Sequence, residues 1–118
     1  MAKLKSWSEV ARGGVLALGL VLAAHGAQAA IDVDAAKETA RQNNCFKCHG
    51  MEKAKDGPAW KAVAAKYKGK PEAFERLTKH LTTGEKAKFP DGHEENHKIV
   101  KVANQAELKN LIDWILSL

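Results

Sequence analysis

The feature that most constrains this chain is the run Cys45-Phe46-Lys47-Cys48-His49. Two cysteines at this spacing lie about one helical turn apart, so their thiols can reach the two vinyl groups along one edge of a haem. The histidine that follows directly then falls beneath the iron, where a neutral imidazole serves as proximal ligand. C-x-x-C-H is the pattern of covalent c-type haem attachment.

Two other chemistries use C-x-x-C. A thioredoxin-like dithiol sits in a βαβ context, and no strand pattern is visible here. A zinc site could draw on Cys45, Cys48, His93 and His97. The gap between the two halves is far longer than the roughly 12 to 15 residues of a zinc finger. A small chain usually needs a staple, and this one has two cysteines, enough for a single disulfide in an oxidising compartment. Haem attachment uses the same two sulfurs and adds a large apolar group for the core to pack around. One covalent haem c is therefore the expected cofactor.

The first stretch reads as a leader rather than as part of the fold. Lys3, Lys5 and Arg12 form a positive region, Val15 to Ala24 an apolar one interrupted by Gly19, and Ala27-Gln28-Ala29 an A-x-A cleavage site. Together they predict a secretory signal peptide over residues 1–29. The apolar run is shorter than the roughly 20 residues that span a bilayer, and no twin arginine is present. Removing the leader takes away three basic residues and Glu9, so the net charge falls from +5 to +3 over residues 30–118. That mild charge does not argue for nucleic acid, which would want a clustered basic face with a recognition motif, and it is compatible with docking onto acidic protein partners.

Residues 30–118 predict one all-α domain of about four helices. Asp32 or Asp34 caps a first helix that runs to about Asn43, with Ala36 and Ala40 small enough for another helix to approach closely. Gly57-Pro58 is a turn, and a short helix follows over Ala59 to Tyr67. Pro71 opens a third helix and Gly84 closes it, with Phe74, Leu77, Thr78 and Leu81 at helical spacing. Glu85 to Val102 shows no period and reads as a long loop, of the kind that is usually functional or disordered. Asn104 and Glu107 have the spacing of a capping box. Leu108, Leu111, Ile112 and Ile115, with Trp114 beside them, form the stripe of a C-terminal helix. Trp60, Tyr67 and Phe74 read as core packing.

With these elements in place, the chain resembles a class I cytochrome c, and most nearly the small bacterial cytochromes of the c-551 (c8) type. The likeness is carried by Asn44-Cys45-Phe46-Lys47-Cys48-His49, by Gly57-Pro58-Ala59-Trp60-Lys61-Ala62-Val63-Ala64-Ala65-Lys66-Tyr67, and by Leu111-Ile112-Asp113-Trp114-Ile115-Leu116-Ser117. It implies a single-haem cytochrome c fold in which the first and last helices cross. It also implies that the Pro58 carbonyl accepts the free N–H of the His49 ring, as a ligating imidazole requires.

The sequence departs from that family at one point. The family places a methionine on the far side of the iron, and this chain holds only Met1 and Met51. Met1 leaves with the leader, and Met51 is tethered beside His49 on the proximal side. Counting back from Trp114, His97 falls within one residue of the family's methionine; counting forward from Gly84, His93 does. His97 is the preferred sixth ligand, His93 the alternative, and an open site the third possibility. His80, late in the third helix, reads as a surface residue. Lys86, Lys88 and Lys98 rank last, because a neutral amine in a basic segment needs a large pKa depression.

The function expected on these grounds is a soluble periplasmic one-electron carrier of low potential, held by His49 and His97. Its protein partners would dock at an exposed haem edge, with Lys47 and Lys53 near it. The competing function is a gas-binding or sensing haem protein with an open or labile sixth site. No nucleophile, triad or phosphate loop points to an enzyme.

Overall fold

The computed structural model describes residues 29–118. The leader expected over residues 1–29 lies outside them except for Ala29. Four helices follow one another, α1 (Val33–Gln42), α2 (Trp60–Tyr67), α3 (Ala73–Thr82) and α4 (Gln105–Leu116), with a 3-10 turn at Cys45–Lys47. None of the described helices is long and apolar enough to cross a membrane.

The fold is organised by α1 against α4. Ala36 and Ala40 are fully buried, as are Leu111 and Ile112, so the small α1 side chains let the branched α4 side chains close in. Burial of each large α4 side chain stabilises the fold by about 1.5–3 kcal/mol. Polar contacts fix the relative positions of the two helices. Asp32 caps α1 by accepting the Ala35 N–H at 2.9 Å, and it exchanges two further hydrogen bonds with the Asn110 side chain at 2.9 and 2.8 Å. Asn104 caps α4 by accepting the Glu107 N–H at 3.0 Å. Glu107 reaches back to the Ala103 N–H at 2.7 Å and takes the buried Thr39 hydroxyl at 2.8 Å. One carboxylate thus reaches back over the Asn104 cap to the residue before it and ties this helix end to α1.

Trp114 is 2 % exposed and meets Trp60 edge-on, with ring centroids 5.3 Å apart. This contact joins the α1/α4 pair to α2. Leu77 and Leu81 bring α3 onto the same core.

Four sequence expectations need correction. Helix α3 begins at Ala73 rather than Pro71, because Pro71 and Glu72 form a turn before it. Phe74 is 38 % exposed, with the Lys109 ammonium 5.7 Å from its ring, so it is a surface residue rather than core. The segment after Gly84 is not structureless. Lys86–Lys88 (β1) pairs antiparallel with Glu94–Asn96 (β2), Lys86 opposite Asn96 and Lys88 opposite Glu94. Neither strand is apolar, so no periodicity marks it; main-chain pairing and the left-handed Gly92 (φ 93°) make the hairpin. His80 is not a free surface residue, as described below.

Replacing Trp114 by alanine should cost roughly 3–5 kcal/mol, which for a domain of this size lowers the melting temperature by more than ten degrees. A melt displaced by only a degree or so would contradict the packing of α4 against α1 and α2.

Candidate haem site

The Cys-x-x-Cys-His segment starts where α1 stops. Asn44 adopts a left-handed conformation (φ 57°), which asparagine tolerates better than most residues. That reverses the chain into the 3-10 turn of Cys45–Lys47. The Cys48 and His49 amides both donate to the Cys45 carbonyl, at 3.2 and 2.9 Å. Both thiols are unpaired and half-buried. Burial pushes the Cys45 thiol pKa up, the Lys98 ammonium opposing it in part.

The next turn holds the His49 ring. The Gly57 amide donates to the Cys48 carbonyl at 2.8 Å, and the Trp60 amide to the Gly50 carbonyl at 2.9 Å. His49 Nδ1 lies 2.8 Å from the Pro58 carbonyl oxygen, so Nδ1 donates and Nε2 is the free nitrogen. Trp60 stacks on the ring with centroids 5.6 Å apart. Gly57 is needed here for space: a Cβ would stand 2.6 Å from His49 Cε1 and 2.9 Å from Nδ1. Pattern reading sees Gly57 only as half of a turn; its packing role depends on where the ring lies.

The His97 ring lies near that of His49. Their ring centroids are 6.2 Å apart with planes at 52°. The segment carrying His97 has no regular structure and is sewn on by main-chain bonds. His97 N–H donates to the Glu85 carbonyl and Val100 N–H to the Leu81 carbonyl, each at 2.9 Å. The buried Asn43 side chain accepts the Lys101 N–H at 2.7 Å and donates to the Lys101 carbonyl at 2.9 Å. Burial lowers the His97 pKa, and the neighbouring His80 and His49 lower it further. Burial likewise lowers that of His49, against the Pro58 hydrogen bond. Both rings are thereby biased to the neutral form that binds metal.

His93 stands elsewhere. It is exposed on the hairpin, stacked on Phe89 with centroids 4.4 Å apart and paired with Asp91 and Glu95. His80, in contrast, packs its ring against His97, centroids 4.0 Å apart. Its Nδ1 lies 2.8 Å from Glu85 Oε1. The i to i+4 logic of α3 could not reveal this, because the contact depends on the fold of the loop after it.

The site fits a haem. Two free thiols and two half-buried imidazoles are present. A nitrogen ligand sits about 2 Å from its metal, so two imidazoles on opposite faces of one iron have centroids about 6 Å apart, which matches the observed pair. The cytochrome c family model matches residues 33–118. The chain belongs to the cytochrome c family, as a class I member of the c8 type. Cytochrome c-552 of Nitrosomonas europaea is 36% identical over 105 residues, 89% of this chain and 93% of that protein. Cytochrome c-551 of Allochromatium vinosum is 34% identical over 85 residues, 67% of this chain and 81% of that one. Among solved structures, the class 1 cytochrome MtoD from Sideroxydans lithotrophicus ES-1 superposes with a TM-score of 0.72 at 63% identity, covering 75% of this chain and 97% of that one. The cofactor of this cytochrome is therefore one covalent haem c, and the fold is the small cytochrome c fold.

Two outcomes follow. Gly57→Ala must displace the His49 ring or the turn beneath it. It should destabilise the protein by about 1–3 kcal/mol and perturb the haem absorption; an unchanged melt and spectrum would contradict the close approach. The Asp91 and Glu95 hydrogen bonds raise the His93 pKa above 6.5. Its contribution to the hairpin is therefore fully present below 6.5 and lost as pH rises through the raised value. A proton resonance titration should place the His93 midpoint above 6.5; a midpoint below it would mean the two carboxylates do not engage the ring.

Proposed function

We propose that this cytochrome is a soluble periplasmic one-electron carrier of low potential, in which His49 and His97 hold the iron from opposite faces. The observation that carries this reading is the His49–His97 ring pair at 6.2 Å, in a chain whose methionines are Met1 and Met51 alone. Met51 belongs to the proximal segment, where its carbonyl accepts the Lys61 N–H.

When bound, haem c supplies the one-electron Fe(III)/Fe(II) couple. The residues around it have separable tasks. Cys45 and Cys48 anchor it through thioethers, which makes attachment permanent. Pro58 fixes the plane and proton of His49, which holds the proximal geometry through a change of charge. His97 replaces the thioether of methionine-ligated relatives. A thioether raises the potential, and an imidazole does so less; axial ligands and their surroundings move haem potentials over roughly 0.8 V. The exchange therefore places this carrier below its methionine-ligated relatives and in a different segment of an electron-transfer chain. Residues 1–29 act as the export signal and 30–118 as the mature domain. Lys47 and Lys53 are exposed beside the attachment segment and would steer acidic redox partners to the haem edge.

Denaturing mass analysis should give the mass of residues 30–118 plus one haem; two free thiols would end the reading. Absorption and electron spin resonance of His97→Ala should show high-spin iron, whereas His93→Ala should keep the low-spin wild-type spectrum. The reverse pattern makes His93 the ligand. A high-spin wild type that binds CO at once on reduction would replace the carrier by a gas-binding protein.

A further inference from the structure

The segments that carry His49 and His97 are held by different helices. Cys45–His49 continues from the end of α1 through Asn43 and Asn44. The His97 segment is bonded to α3 and its exit, Val100 N–H to the Leu81 carbonyl and His97 N–H to the Glu85 carbonyl. One side chain bridges the two. Asn43 Oδ1 accepts the Lys101 N–H at 2.7 Å, and Nδ2 donates to the Lys101 carbonyl at 2.9 Å. Among the described residues no other hydrogen bond joins residues 33–67 to residues 85–102.

The residue type is specific to this task. Asn43 is 6 % exposed, and its other Nδ2 hydrogen goes to the Thr39 carbonyl at 2.9 Å. One acceptor and two donors are all engaged, a set that a carboxamide supplies and a carboxylate does not. Aspartate would set an acceptor against two carbonyl oxygens. Alanine would leave the Lys101 N–H and carbonyl without this partner. Asn43 stands two residues before Cys45, and Lys101 four residues after His97. A chain spans at most about 3.3–3.6 Å per residue, so a closed clasp leaves the His97 ring little slack relative to the attachment segment.

We propose that Asn43 is a positioning residue for iron ligation. Its clasp on Lys101 holds the two rings at the span of one iron, and so keeps the sixth position closed to outside ligands such as CO. This rests on His97 being a ligand. With the clasp open, His97 answers to α3 alone, and its departure from the iron no longer breaks a buried pair of hydrogen bonds. The coupling is reciprocal: whatever factor the clasp adds to ligation, ligation adds to the clasp.

The test uses the haem-loaded protein, with Asn110 as control. The Asn110 side chain makes the same two-bond clasp on the Asp32 main chain, at 2.9 and 2.8 Å, and joins α4 to the start of α1 instead. Asn43→Ala should raise the affinity of the reduced protein for CO about tenfold. Asn43→Asp, which keeps the acceptor and loses both donors, should do likewise. Asn110→Ala should lower the melting temperature and leave the CO affinity at the wild-type value. By reciprocity, the Lys101 amide of His97→Ala should exchange with solvent about tenfold faster than in the wild type, while the Asp32 amide keeps its rate. An unchanged CO affinity in Asn43→Ala overturns the proposal. So does an equal rise in Asn110→Ala, which would make the effect one of stability alone. Where the Asn43 variants fail to fold, the Lys101 amide decides. A high-spin His97→Ala with unchanged Lys101 exchange defeats the role of Asn43 alone. A His97→Ala that keeps the wild-type low-spin spectrum defeats the ligand reading, and the proposal with it.

Discussion

The separation of 6.2 Å between the His49 and His97 rings is the constraint that the rest of the protein serves. The two sides of that gap are held in different ways. On the proximal side the anchoring is local in sequence. The 3-10 turn, the Gly57 approach and the Pro58 carbonyl all lie within nine residues of His49. On the other side His97 sits in an irregular segment, held by Leu81 of α3, by Glu85 just after it and by Asn43 at the end of α1. The helices meet behind both sides, where Trp60 touches His49 on one flank and Trp114 on the other. Packing of α4 on α1 thus reaches His49 through one aromatic contact, and the loop that carries His97 through Asn43.

Such a frame suits electron transfer for a physical reason. A carrier works best when its ligands do not rearrange as the iron changes charge. Main-chain hydrogen bonds on both sides resist that rearrangement, and burial lowers the pKa of both imidazoles, which favours their neutral form. The hairpin after α3 lengthens the distal loop without disturbing His97, because the His97 N–H bond to Glu85 closes it at its base. Insertions between fixed ends cost little loop entropy.

Much of this was legible in the sequence, and what was hidden had a common cause. Cys45, Cys48 and His49 are adjacent, so their spacing alone carries the chemistry. The α1/α4 packing was legible because Ala36, Ala40, Leu111 and Ile112 recur at helical spacing, and the capping of α4 because Asn104 and Glu107 are three apart. The contacts of His80, Gly57 and Asn43 are not legible in the sequence, because each meets a residue that only the folded chain brings near. The hairpin leaves no mark in the sequence because its strands, KAK and EEN, are three residues each and carry no large apolar side chain. The spacing of Phe74 fits the apolar stripe of α3, yet the residue falls at the solvent edge of that stripe.

The central claim is that the imidazoles of His49 and His97 occupy both axial positions. X-ray absorption at the iron edge of the wild-type protein tests it most directly, in the oxidised and the reduced state. Ligation by both rings gives six light scatterers at about 2 Å in both states, four from the porphyrin and two from imidazole, with the multiple-scattering pattern of two histidine rings. Five light scatterers, or a sixth ligand that leaves on reduction, would contradict it.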